Sequence, residues 1–110
     1  MSKQKVCLTN DLITNSGICV LLNEDTSPEQ VALFYVPETE EKVFAINNWD
    51  PIGQANVLSR GIVCSIKDEL AVASPLYKQH FSLISGQCLD DDASVKTYKA
   101  FIDGDAVYIQ

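Results

Sequence analysis

The chain has 110 residues, 46% of them hydrophobic, with 15 acidic against 8 basic side chains and a formal net charge of −7. That length predicts one domain spanning residues 1–110, with enough apolar content for a single core and too much for a disordered chain. The acidic surplus argues against nucleic acid, which is bound by setting Lys and Arg against phosphates. It fits simple solubility or a partner with a basic face.

The longest apolar runs, Ile18–Leu22 and Val31–Val36, are too short to span a bilayer, so no membrane association is expected. Residues 1–10 carry Lys3 and Lys5 with no apolar segment behind them. No secretory signal is read there, and a cytoplasmic location is expected.

In chain order, short apolar runs divided by turn residues predict an all-β domain. Thr9-Asn10-Asp11-Leu12-Ile13 reads as one turn of helix. Ile18–Leu22, Val31–Tyr35 and Val43–Ile46 read as strands. Their separators, Asn23-Glu24-Asp25-Thr26-Ser27-Pro28 and Pro37-Glu38-Thr39-Glu40-Glu41, have the prolines and carboxylates of solvated loops. Ser27-Pro28-Glu29-Gln30 carries the chemistry of a helix N-cap, but from Val31 onward the pattern is that of a strand. Gly61–Ile66, a Lys67-Asp68 turn and Leu70–Ala73 predict a hairpin. Val95–Phe101 alternates as a strand, Asp103-Gly104 signals a tight turn, and Ala106–Ile109 returns as the last strand.

Cys7, Cys19, Cys64 and Cys88 are scattered without a C-x-x-C pair, and His80 is the only histidine. Zinc sites need closely spaced ligand pairs, so no metal site is read. Cys19, between Ile18 and Val20, and Cys64, after Val63, read as small buried hydrophobes. Cys88 follows the Gly86 turn and reads as the thiol most open to solvent and to reaction. His80 has no nucleophile in a recognisable motif near it, because Ser74 lies in Ala-Ser-Pro rather than in a nucleophile elbow. No catalytic, cofactor-binding or metal-ligating residue is assigned.

The most specific segment is Ser74-Pro75-Leu76-Tyr77-Lys78-Gln79-His80-Phe81-Ser82-Leu83-Ile84-Ser85-Gly86. It fits the spacing C-P-x-H-x-x-x-F-x-L-x-S/T-G, with Ser74 at the Cys position and Tyr77 at the His. Upstream, Asn48-Trp49-Asp50-Pro51 stands where a Cys-x-His pair would be. These runs resemble the two cluster-binding loops of Rieske [2Fe–2S] domains. Within that superfamily, N-x-D-P, A-N-V-L-S-R-G and S-P-L-Y-K-Q-H-F-S-L resemble the small subunits of cytoplasmic NAD(P)H-dependent nitrite reductases, from about Val6 to Tyr108.

The resemblance implies a Rieske-like β-sandwich or barrel with two loops, about Asn47–Arg60 and Ser74–Gly86, and with the cluster absent. A Rieske centre takes two thiolates and two imidazoles. Asn48, Asp50, Ser74 and Tyr77 offer oxygens or a neutral amide, poor partners for iron–sulfur chemistry. Pro51 and Pro75 lower the entropy cost of ordering loops that no metal closes. Asn48, Asp50, Ser74 and Tyr77 can all hydrogen-bond, and so could bridge the loops instead. Asp50 either accepts across the gap or caps its own turn. Trp49 is either an interface anchor or a lid over local packing. Arg60, Lys78 and His80 bring positive charge to this end, as a partner surface or as an ordinary solvated loop. Trp49, Lys78 and His80 are the residues expected to touch a partner.

Function follows in two classes. By resemblance, the chain is the non-catalytic small subunit of an assimilatory nitrite reductase that reduces nitrite to ammonium. Its partner is then the large subunit carrying FAD, an iron–sulfur cluster and sirohaem. The alternative is a Rieske-type ferredoxin feeding electrons to an oxygenase, which needs the two Cys and two His that these loops lack. A small independent enzyme built on Cys88 or His80 is a third class, with no motif behind it.

Overall fold

A computed structural model describes residues 3–24 and 27–110, so the Asp25-Thr26 centre of the first separator lies outside the described residues. The architecture is all-β. Strands β1 (Gln4–Leu8), β2 (Ser16–Glu24), β3 (Ser27–Tyr35) and β4 (Val43–Asn47) are followed by the short β5 (Trp49–Asp50) and β6 (Ala55–Asn56). Then come β7 (Ile62–Ile66), β8 (Glu69–Ala73), β9 (His80–Ser82), β10 (Thr97–Tyr98), β11 (Ala100–Asp103) and β12 (Ala106–Ile109). They form antiparallel sheets in the orders β1-β12-β11, β10-β4-β3-β2, β5-β6 and β7-β8-β9.

The β10-β4-β3-β2 sheet is the middle layer, and its sequence says why. Side chains alternate between the faces of a strand, so a continuous apolar run implies burial on both. Val31 and Leu33, with Val43 and Ala45, pack toward Val107 and Ile109 of β12. Ala32, Phe34 and Val36, with Phe44 and Ile46, pack the opposite way, onto Val72, Phe81 and Leu83 of the loop-bearing layer. Register is thereby fixed, since a one-residue slip of β3 would exchange its two core faces.

Ser27–Gln30 belongs to β3, with Pro28 opposite Asn23 and Gln30 opposite Leu21, and forms no helix. Long pairing with β2 outweighs one favourable cap. Thr9–Asp11 is a short 3₁₀ turn, closed by Asp11 accepting from the Leu8 N–H at 2.9 Å. Lys67 and Asp68 both take positive φ (49° and 69°) between Ile66 and its partner Glu69, the type I′ geometry favoured in two-residue hairpins.

The alternating run Val95–Phe101 is not one strand. Thr97–Tyr98 pairs with β4 and Ala100–Asp103 with β12, so the chain changes sheets at Lys99. Alternation alone could not show this, because both pieces keep the same period.

The sheets place two connections side by side. The first, 47–60, contains β5, β6 and a 3₁₀ turn at Leu58–Arg60, whose Leu58 is fully buried in the core. The second, 74–86, leaves β8 and passes through β9.

Candidate functional site: two loops latched to each other

Asn48 ties the first loop to the middle sheet. Its backbone N–H donates to the Gln30 carbonyl at 3.0 Å, and its carbonyl accepts from Val57 at 3.0 Å and Leu58 at 3.1 Å. The side-chain amide donates from Nδ2 to Gln30 Oε1 at 3.1 Å and accepts at Oδ1 from the Ser59 N–H at 2.7 Å. Both ends of the amide are committed to the chain itself.

Asp50 is fully buried and joins both loops. Oδ1 accepts from the backbone N–H groups of Ile52 at 2.8 Å and Gly53 at 3.0 Å, the local turn in which Pro51 sits. Oδ2 accepts from the Ser74 hydroxyl at 2.5 Å, across the gap between the loops. The two roles weighed for Asp50 are thus held by its two oxygens. A carboxyl group in an apolar interior needs such partners, because burying it unpaired is costly.

Ser74 closes the second loop in the same way. Its N–H donates to the Gln79 carbonyl at 2.8 Å, its carbonyl accepts from the Lys78 N–H at 3.0 Å, and its Oγ accepts from the Leu76 N–H at 3.3 Å. The loops also touch at Gly53, where a Cβ would collide with Leu76 Cδ1 and stand 3.1 Å from Asp50 Oδ2. Asn48, Asp50 and Ser74 therefore share one buried end of the molecule. Tyr77 does not join them: it is turned outward, 64% exposed.

Trp49 alternates with its buried neighbours and stands 44% exposed, paired with Asn56 across β5 and β6. Lys78 is exposed with φ 63°, a left-handed conformation that a lysine adopts only when its surroundings impose it. His80 is less open than a loop tip. Its Nδ1 lies 2.9 Å from Asp90 Oδ2, its N–H donates to Asp90 Oδ1 at 2.9 Å, and its side chain is 27% exposed. The hydrogen bond from the His80 side chain is the main cause holding the Asp90 carboxyl below its ordinary pKa.

The cysteines require two corrections. Cys88 is buried, because an antiparallel bridge to Phe81 swings it into the core beside that ring. Burial is the first cause pushing its thiol pKa up, and the thiol donates to Asp90 Oδ1 at 3.5 Å rather than to His80. Cys19 is exposed. Alternation along the edge strand β2 sends Val20 and Leu22 into the core and leaves Cys19 and Leu21 on the other face. Cys64 is partly buried. All four thiols are pushed above their ordinary pKa, with burial the first cause in each, whereas a reactive cysteine needs a lowered one.

Gln30 and Asp90 are contributors that the sequence pattern does not mark. Gln30 follows Ser27-Pro28-Glu29 at the polar start of β3, where nothing in the sequence singles it out. Asp90 was hidden in the Asp90-Asp91-Asp92 run, which looks like a solvated loop.

A [2Fe–2S] cluster does not fit this donor set. Such a cluster takes thiolates and imidazole nitrogens. The four residues that the resemblance sets in ligand places are an amide spent at both ends, a carboxyl spent on three donors, a hydroxyl spent on that carboxyl, and an outward phenol.

An all-β frame with two loops closing on each other at one end defines a Rieske-like domain. Residues 3–110 match the model of the Rieske-like [2Fe–2S] domain family. The NADH nitrite reductase small subunit of Escherichia coli (strain K12) is 42% identical over 112 residues, covering 100% of this chain and 99% of that one. The NMR structure of the E. coli protein NirD matches with a TM-score of 0.82 at 40% identity, over 98% of this chain and 96% of that one. A nitrite reductase (NAD(P)H) large subunit from Klebsiella oxytoca is 33% identical over 107 residues, which are 96% of this chain and 10% of that one. The ferredoxin of carbazole 1,9a-dioxygenase from Nocardioides aromaticivorans shares the fold, with a TM-score of 0.76 at 19% identity over 99% of this chain and 97% of that one. The chain belongs to the Rieske-like domain family and, within it, to the nitrite reductase small subunits.

Proposed function

We propose that this chain is the non-catalytic small subunit of a cytoplasmic NAD(P)H-dependent nitrite reductase. It acts by binding a large subunit that carries the FAD, iron–sulfur and sirohaem centres reducing nitrite to ammonium in nitrate assimilation. The observation that carries the reading is the Asp50–Ser74 latch. Of the four residues that the resemblance sets at cluster-ligand positions, Asp50 and Ser74 are bonded to each other across the loops. Loops kept in that order without a redox centre are suited to presenting a surface.

The Klebsiella relative supports the identity of the partner. A stretch homologous to nearly all of this chain forms part of a large subunit there. A domain found both free and built into the larger chain fits one that works against that chain. Trp49 and Lys78, both exposed, are its proposed contacts, with His80 at their margin. Among the described residues no helix is long and apolar enough to cross a membrane.

The test is to express the large subunit encoded with this chain, with and without it, and measure complex formation and nitrite-dependent NAD(P)H oxidation. A stable complex whose turnover or lifetime depends on this chain supports the proposal. A large subunit that neither binds it nor changes with it removes the proposal.

A further inference from the structure

Between the end of the first loop and the start of the second lies a cleft of about 490 Å³. Gly61, Ile62, Ala73 and Pro75 contribute apolar surface to it, and Arg60, Lys78 and His80 contribute basic groups. Arg60 is the only arginine in a chain of net charge −7. Among the described residues neither Arg60 nor Lys78 is ion-paired, whereas Lys3 and Lys96 have carboxylates at 3.6 and 3.7 Å. His80 already faces Asp90, so the unbalanced charge of the cleft rests on Arg60 and Lys78.

The surroundings of the cleft are as unusual as its charge. Ile62 is 73% exposed on its wall, and Trp49, Leu76 and Tyr77 of the two loops are also large exposed apolar side chains. Apolar side chains gathered at one end and rimmed by charge mark a contact surface. Gly61 keeps the cleft walls close, because a Cβ there would run into the Ala73 carbonyl and stand 2.6 Å from Val72 Cγ2. The site is therefore built into the packing of β7 against β8.

We infer that this cleft docks an acidic segment of the large subunit, with an apolar side chain against Ile62 and Pro75 and carboxylates against Arg60 and Lys78. Charge complementarity selects that occupant. Arg60 and Lys78 line an apolar cleft with no carboxylate among the described residues paired to them, and two copies of a chain of net charge −7 repel each other overall. The inference rests on the proposed assembly with the large subunit.

The experiment titrates the large subunit, purified without this chain, with wild type, Lys78→Gly, and the pair Arg60→Glu/Lys78→Glu, at low and high salt. Lys78→Gly removes the charge and relieves the positive φ. It is expected to melt at or above the wild-type temperature and still bind more weakly, which separates docking from folding. The double reversal is expected to weaken binding roughly a hundredfold at low salt, with the gap narrowing as salt screens it. Wild type that fails to bind at all would sink the assembly itself. Wild type that binds, with both variants indistinguishable from it at both salts, would overturn the cleft alone. So would wild-type chain that dimerises by itself and loses the dimer in the double reversal, since the cleft would then belong to a second copy.

Discussion

The Ser74 hydroxyl lies 2.5 Å from Asp50 Oδ2, and both residues are buried at the point where the two loops meet. This one bond joins the two loops, between residues that the sequence resemblance sets at cluster-ligand positions. It gives the end of the molecule a physical reason to stay ordered. Removing the hydroxyl leaves a buried carboxyl oxygen without its partner. Ser74→Ala is therefore expected to lower stability by about 1–3 kcal/mol in urea unfolding. Asp50→Ala, which also strands the Ile52 and Gly53 N–H groups, is expected to lower it further. The double variant should fall well short of the sum, because both changes break the same bond. Additive losses would mean that the bond does not form.

Asp90 gives a pH dependence. Its carboxyl is held below the ordinary value first by the hydrogen bond from the His80 side chain. A depressed folded pKa means stabilisation that is complete above the unfolded value, about 3.9, and is lost as pH falls through the folded pKa. The pair is largely open to solvent, with the Asp90 side chain 46% exposed, so the contribution is at most about 1 kcal/mol. Asp90→Asn should therefore unfold at slightly lower urea than wild type near neutrality, and the difference should close in strong acid. A gap that widens on acidification would contradict the assignment.

Thiol accessibility tests the cysteine placement. In the native protein a maleimide should modify exposed Cys19 first, slowly because its pKa is raised, and spare Cys88 until urea unfolds the chain. Peptide mapping by mass spectrometry reads the order directly. Early loss of Cys88 would mean that the Phe81–Cys88 bridge is open in solution.

Much of the frame was legible in the sequence. The apolar run Val31–Tyr35 marked a strand, and the Ser74–Gly86 spacing marked the second loop. Asp50 was legible as a bonding group because its neighbours, Pro51 and the facing Ser74, allowed both of its roles. What stayed hidden depended on contacts distant in sequence. Cys88 looked exposed because its bridge to Phe81 is not a sequence pattern. Cys19 looked buried because a strand's edge position cannot be seen in its own residues. The break at Lys99 was masked by a period that continues through it. Asp90 looked like one of three solvated carboxylates, when its partner is ten residues upstream on β9.

Trp49 tests the surface. It is exposed beside a buried residue on each side, as an anchor for a partner would be. Truncating a central Trp at an interface costs about 2 kcal/mol, roughly thirtyfold in affinity. Trp49→Ala should weaken binding to the large subunit by about that factor while its melting temperature stays close to wild type. Unchanged affinity would place the interface on another face.

The central claim is that a Rieske-like frame here stands on its own hydrogen bonds in place of a cluster. The most direct measurement is iron and acid-labile sulfide, with the visible spectrum, on chain expressed in iron-replete cells and purified without oxygen. The account predicts a colourless protein with only trace iron and sulfide, folded and with both loops protected in hydrogen exchange. Stoichiometric iron and sulfide with the absorption of an iron–sulfur centre would contradict it.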